Sequence, residues 1–472
     1  MLSRRTRTRL AVYFAGLIVL NVFVFWQGWV RSRLGQSDFT SFYVAGQILR
    51  QGRGADLYDD ELQREVQHSF SPSGLNKPDS LIPYIHPPFE ALAFLPLARF
   101  SYLHAYLIWL FVNMALVAAM PFVLRPHFPI LGKEPLALWL LACFSFFPIF
   151  VAAVEGQDSI WLLFCYSMAY ATFSADTELR SGCWLGIGLF KFHLVLPFVL
   201  ALAITGRKKL VAGFLAVAAL LLGVGIWVVG TKGWLEYPAY VWGYESNQSA
   251  MWKAALGKSA NLRGLISTVL PATSPHLKAG VLTLFSVLLL AGLVFAWKKT
   301  LPQENNRKAM AFCIGLIVTV LLSYHLYPHD LSVVFLAILL AIEGTISIST
   351  IRAWARRTIF GCVAILSCTP VYLLLIRRYK HSEIIAGVSV ILIVTLWCEI
   401  IWPGIGKKSL ALPDENAFGV DGNLEESKRK PKASAEGLYA SETNPRNLSS
   451  GSRAQQVPAL RLYLQRSAIP TR

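Results

Sequence analysis

The feature that most constrains this chain is a run of apolar blocks nearly free of charge, each roughly 17–25 residues long, separated by polar turns. A helix crosses a hydrocarbon core of about 30 Å with about 20 such residues. At 472 residues and 55% hydrophobic content, the chain could in principle form two or three soluble domains. The clustering of its apolar residues into membrane-length blocks excludes that, and the mean hydropathy of +0.49 agrees. The pattern is that of an all-α polytopic membrane protein.

Spans are predicted at about 10–30, 101–124, 135–154, 159–175, 208–229, 277–297, 309–324, 331–350, 358–376 and 384–402. Arg4, Arg5, Arg7 and Arg9 precede the first span and assign the N-terminus to the cytoplasm. Alternation then leaves two large extracytoplasmic loops, 31–100 and 230–276. An eleventh apolar segment, 183–205, is flanked at both ends by polar turns assigned to the cytoplasm, Arg180 before it and Arg207-Lys208-Lys209 after it. Lys191-Phe192-His193 and Pro197 interrupt its middle, so it is read as a re-entrant hairpin with Lys191 at the tip. A single crossing with a snorkelling lysine, or a structural ion pair, remains open. The membrane domain is therefore 1–403, and the polar composition of 404–472 predicts a disordered, basic cytoplasmic tail.

The formal net charge of +17 is scattered over short loops and the tail, which speaks for topology control and against nucleic acid as a partner. The seven cysteines show no C-x-x-C spacing, so neither a disulfide framework nor a metal site is indicated. The basic and apolar N-terminus lacks a cleavage site and reads as a retained anchor.

Polar residues that interrupt this pattern gather on the predicted outer side. Asp38 follows the first span and opens a segment with apolar residues at helical spacing, read as a short helix on the membrane surface. Asp38 either caps that helix or offers a carboxylate to a substrate. His86, Glu155, Gln157, Asp158, His325, His329 and Asp330 fall at outer span ends or in outer loops, with Lys191 between them. Outer carboxylates and imidazoles around a cation within the bilayer describe chemistry on a lipid-linked anion at the membrane–water boundary. The aromatics of the second loop, Trp234, Tyr237, Tyr240, Trp242, Tyr244 and Trp252, suit an interfacial belt or stacking on a sugar.

Several pieces stand in a recognisable order: Asp38-Phe39 with Tyr43 and Ala45-Gly46, Leu57-Tyr58-Asp59, Pro87-Pro88 with Leu95-Pro96-Leu97-Ala98, Gly156-Gln157, Gly186-Ile187-Gly188 with Lys191, and Tyr327-Pro328-His329-Asp330-Leu331. Together they resemble glycosyltransferase family 87, polyprenol-phosphate-sugar-dependent transferases of the GT-C type. The resemblance implies a GT-C-like bundle, here of about eleven segments, that moves a mannose-like hexose or a pentose from a polyprenyl-phosphate donor. The acceptor would be a lipid or glycan at the extracytoplasmic face of a bacterial inner membrane. It also implies Asp38 as catalytic base and a functional histidine at His329, with His325 as the substitute. Where some members carry paired histidines, this chain reads His329-Asp330.

Lys191 and His193 are the candidates for the donor phosphate, and Tyr43, His86, Gln157, Asp158, His325 and Asp330 for substrate binding. Phosphate leaves as a stabilised anion, so one base suffices and inversion is expected. The first loop has no Asp-x-Asp pair, and no metal or cofactor is expected. The competing classes are a secondary transporter or a lipid or glycan flippase, because buried lysines and broken helices also occur there.

Overall fold

The computed structural model describes residues 2–71, 81–246, 259–271, 273–300 and 305–402, all within the compact unit Met1–Leu410. The predicted tail 404–472, together with Asn247-Gln248-Ser249 and Trp252 of the second loop, lies outside the described residues. The described residues form helices and turns, with no strand among them.

Helix α1 (Arg4–Arg33) begins at Ser3, whose hydroxyl accepts from the Thr6 amide. It leaves Val12, Val19, Phe23 and Trp26 exposed, as a lipid-facing helix does. The first loop then folds on itself as α2 (Phe39–Arg50), α3 (Asp60–Phe70) and short 3-10 turns. Helix α2 does not lie on a surface as expected. Phe39, Phe42, Val44, Ala45 and Ile48 are all buried, with Phe42 stacked on Phe94 at 4.5 Å. The loop supplies its own aromatic core, and the helical spacing that suggests an amphipathic surface helix serves that core instead.

Helices α4 (Tyr102–Leu124), α5 (Leu136–Ser145), α6 (Phe147–Glu155) and α7 (Ser159–Ser174) follow. Between α5 and α6 the chain bends by 64°, since Pro148 near the start of α6 lacks the amide that would continue α5. Next come α8 (Glu178–Ile187), a 3-10 turn at Gly188–Lys191, and α9 (Phe192–Ile204). Gly182 of α8 lies so close to the next helix, α10 (Lys208–Ser246), that a Cβ there would stand 1.8 Å from the Leu210 carbonyl oxygen. Helix α10 breaks at Gly230, whose φ of 73° favours glycine. Its second limb carries Tyr237 and Tyr240, each 5.2 Å from the Tyr58 ring. These rings anchor the first loop.

The remaining helices are α11 (Leu262–Val269), α12 (Pro275–Thr300), α13 (Asn305–Leu322), α14 (Val334–Ser347), α15 (Ala353–Leu366), α16 (Thr369–Tyr372) and α17 (Glu383–Ile401). A 3-10 turn at Pro328–Val333 leads into α14, and a second sharp bend of 66° follows α15, again with a proline (Pro370) just beyond it. Among the described residues, seven helical runs are long and apolar enough to cross a membrane, or up to nine if each bent pair is one span. The sequence pattern suggests about eleven. Part of the difference is α7, whose 16 residues fall short of the usual length.

The run Glu178–Ile204 is among the seven, yet the residues that flank it touch: Arg207 pairs with Glu178 and stands 5.4 Å from the Phe173 ring. At one end of the bundle, Ser32 and Tyr106 hydroxyls both donate to the Val154 carbonyl, joining α1, α4 and α6. At the opposite end Arg7 pairs with Glu134, the Ile130 and Leu131 amides donate to Glu343, and Arg352 pairs with Glu399.

Candidate active site

The α6–α7 connection builds one wall of the site. Gly156 ends α6 in the left-handed region at φ 69°, and a Cβ there would lie 2.6 Å from the Phe39 Cβ. This tight turn places Glu155, Gln157 and Asp158 within four residues at one end of the bundle, against the start of α2. Asp38 sits at that start, and its side chain makes no capping bond to α2. The capping reading falls, because the carboxylate Oδ2 instead accepts from the Gln157 amide at 2.8 Å.

A cavity of about 860 Å³ opens here, and Asp38, His86, Glu155, Gln157, Lys191, His193, His325, His329 and Asp330 all line it. Residues separated by up to nearly 300 positions in the chain thus share one space. His329 is buried and its Nδ1 lies 3.0 Å from Glu155 and 3.9 Å from Asp38. The Asp38 side chain is 38% exposed, towards the cavity. Burial, and then the nearby Glu155 carboxylate, push the Asp38 carboxyl above its ordinary value, while His329 and the Gln157 bond oppose the rise.

Lys191 is almost wholly enclosed. Its amine lies 2.6 Å from Asp330, 2.9 Å from Asp158 and 3.4 Å from the Gln157 carbonyl oxygen. Two carboxylates pair with the ammonium, and it donates hydrogen bonds to Asp330 and Gln157. Asp330 is further fixed by the Ser159 hydroxyl and the Tyr327 amide. Gln157 therefore bridges two groups: its carbonyl faces Lys191, which turns its NH₂ to Asp38.

Asp158 does not line the cavity but backs Lys191. Tyr43, expected at the substrate, is not brought to the site. It is 4% exposed, its hydroxyl donates to the Phe100 carbonyl at 2.7 Å, and its ring packs on Phe70. His193 lines the cavity with both ring nitrogens buried and without a protein hydrogen-bond partner, its ring 4.9 Å from that of His325.

Glu90 belongs to the site's surroundings and was not anticipated; its only sequence signal is its place four residues after His86. His86 Nδ1 lies 3.0 Å from Glu90 and 3.6 Å from Asp158. Burial, reinforced by Asp158, pushes the Glu90 carboxyl well above the usual carboxylate range. Burial also lowers His86 to about 4, so a neutral imidazole faces the cavity at neutral pH. By donor type, two trios could hold a cation, Asp38–Glu155–His329 and His86–Glu90–Asp158. Each also has protein partners of its own, Gln157 for the first and Lys191 for the second.

No curated protein and no solved structure matches the chain. The family model described as glycosyltransferase family 87 matches residues 84–323, just over half of the sequence. The matched part takes in His86, Glu90, the Glu155–Asp158 turn, Lys191 and His193, and leaves Asp38 and His329 outside its ends. A membrane-helical chain with a polar cavity of this make-up and a family match of this extent belongs to glycosyltransferase family 87.

Proposed function

We propose that the protein transfers a mannose-like hexose or a pentose from a polyprenyl-phosphate donor to a lipid or glycan acceptor, with inversion, at the extracytoplasmic face of a bacterial inner membrane. One observation carries this reading: Asp38 meets Gln157, Glu155 and His329 at the wall of a single polar cavity. The acceptor oxygen attacks the anomeric carbon while Asp38 takes its proton. The bond from that carbon to the phosphate oxygen breaks, and polyprenyl phosphate leaves with the electron pair. An aspartate raised above its ordinary value is a better base near neutral pH than a fully solvated one.

His329, held by Glu155, is the group that steadies Asp38 and the acceptor, with His325 further along the same wall. His86, Gln157 and Asp330 complete the surface that receives the sugar. The phosphate role expected of Lys191 is revised. Paired with Asp158 and Asp330, Lys191 acts by orienting Gln157 towards Asp38. His193 has a ring N–H without a protein partner, one donor for an anionic ligand.

A GT-C-like bundle with α8 and α9 as a re-entrant hairpin fits the contacts. A straight helix of 27 residues extends roughly 40 Å, whereas Glu178 and Arg207 form an ion pair. Arg4, Arg5, Arg7 and Arg9 lie at the end of α1 remote from the cavity, so the positive-inside rule sets both ends of 1–403 in the cytoplasm and the cavity outside. The basic segment 404–472 then continues into the cytoplasm as a separate tail.

The test is purified protein supplied with polyprenyl-phosphate sugars and candidate acceptors. Asp38→Asn is expected to remain folded and inert, and the product to show the inverted anomeric configuration by NMR. Undiminished transfer by the variant removes Asp38 as base; a retained configuration removes the single-displacement step.

A further inference from the structure

A second cavity of about 790 Å³ adjoins the first. Its walls are apolar: Leu221 and Leu222 come from the first limb of α10, Trp234 and Val241 from the second. Pro87, Phe192, Tyr237 and Tyr324 line both cavities and so mark where the two meet. Among the described residues, Arg263 is the charged one lining the apolar cavity, and its guanidinium donates to the Tyr324 carbonyl at 3.5 Å, at that junction.

We infer that the apolar cavity seats the isoprenoid chain of the lipid-phosphate donor and that Arg263 holds the donor phosphate where the two cavities join. The inference rests on the proposed transfer reaction for its ligand. A polyprenyl phosphate has its anion bonded directly to the end of an apolar chain, so it needs an apolar channel, a cation at the channel's inner end and a polar chamber beyond. The two cavities and Arg263 occur in that order. Lys191 is already paired with two carboxylates, Asp158 and Asp330, and does not line the apolar cavity. Arg31 lines only the polar chamber, away from the apolar cavity. A guanidinium also matches phosphate geometry with two parallel donors. With the phosphate at Tyr324, His193 is a neighbour whose ring lies 5.0 Å from the Tyr324 ring.

The experiment is equilibrium binding of radiolabelled, sugar-free polyprenyl monophosphate to the full-length protein in detergent micelles. Arg263→Gln is expected to weaken binding roughly tenfold or more, with Arg263→Lys in between. Arg263 is exposed, so neither change should disturb folding. Leu222→Trp, which narrows the apolar cavity, is expected to weaken the long-chain ligand several-fold more than a phosphate carrying two isoprene units. The inference is overturned if Arg263→Gln binds like wild type, if Arg31→Gln causes the larger loss, or if ordinary phospholipid competes equally well. Wild-type protein that binds the carrier but transfers no sugar would remove the proposed reaction and leave this site standing. Transfer with a donor KM unchanged in Arg263→Gln would do the reverse.

Discussion

Carboxylates gather at both ends of the bundle, and they are treated differently. At the end remote from the cavity each has partners of its own. Glu134 accepts from Arg7 and the Leu2 amide, Glu343 from two backbone amides and Ser347, and Glu399 from Arg352. At the cavity end, Asp38 and Glu155 converge on a shared histidine, and both side chains are more than a third exposed to the chamber. The single enclosed lysine there is committed to Asp158 and Asp330. The first arrangement holds loops to helices; the second keeps negative charge together, which costs stability and is sustained where a ligand or a proton completes the site.

The largest effects should separate the two kinds of carboxylate most cleanly. Asp38→Asn is expected to lower kcat by about 10²–10⁴, with thermal unfolding in detergent close to wild type because Asp38 is half-exposed. Lys191→Met sits at the boundary of the comparison. Removing a 4% exposed cation leaves Asp158 and Asp330 without the ammonium they share, which should cost about 3–5 kcal/mol of stability. Adding Asp330→Asn to Lys191→Met should restore part of that loss. A Lys191→Met protein of wild-type stability would mean that the amine is not the keystone its contacts imply.

The sequence makes one half of this contrast legible. Asp38, His86, Gln157, Lys191, His325, His329 and Asp330 stand out because polar groups at span ends are conspicuous against apolar blocks, and all seven line the cavity. Spacing does not reveal how they pair. Sequence leaves Lys191 open between a phosphate-binding cation and a structural ion pair, and only tertiary contacts show its carboxylate partners, Asp158 and Asp330. Tyr43 looks like a substrate contact because an aromatic at helical spacing reads the same in a core as in a site. Glu90 escapes notice because only the fold of the first loop presses it against His86 and Asp158. The break of α10 at Gly230, whose two limbs both line the apolar cavity, rests on one glycine among 33 in the sequence.

A smaller effect tests the remote end. Glu343→Gln keeps one acceptor oxygen where two amides, Ile130 and Leu131, now donate at 2.8 Å each. One part-buried amide loses its partner, so the expected cost is about 1 kcal/mol, read as a lower unfolding temperature with kcat and KM unchanged. A kinetic defect without destabilisation would erase the distinction between the two ends.

The smallest effect is the most specific to the cavity. The proposed base works when ionised, so activity is present above its pKa and falls as the pH drops through it. Glu155, His329, Gln157 and Lys191 all act on that pKa. Glu155→Gln removes a neighbouring negative charge, lowers the Asp38 pKa, and should move the acid limb of kcat/KM to lower pH. Gln157→Ala removes a donor that favours the carboxylate, raises the pKa, and should move the same limb to higher pH. The opposite signs are the informative part. A structural defect common to both variants would lower the whole profile without separating their limbs. Limbs that move in the same direction would mean that Glu155 and Gln157 do not act through the charge of Asp38, and the clustered carboxylates would then be no different in kind from those at the far end.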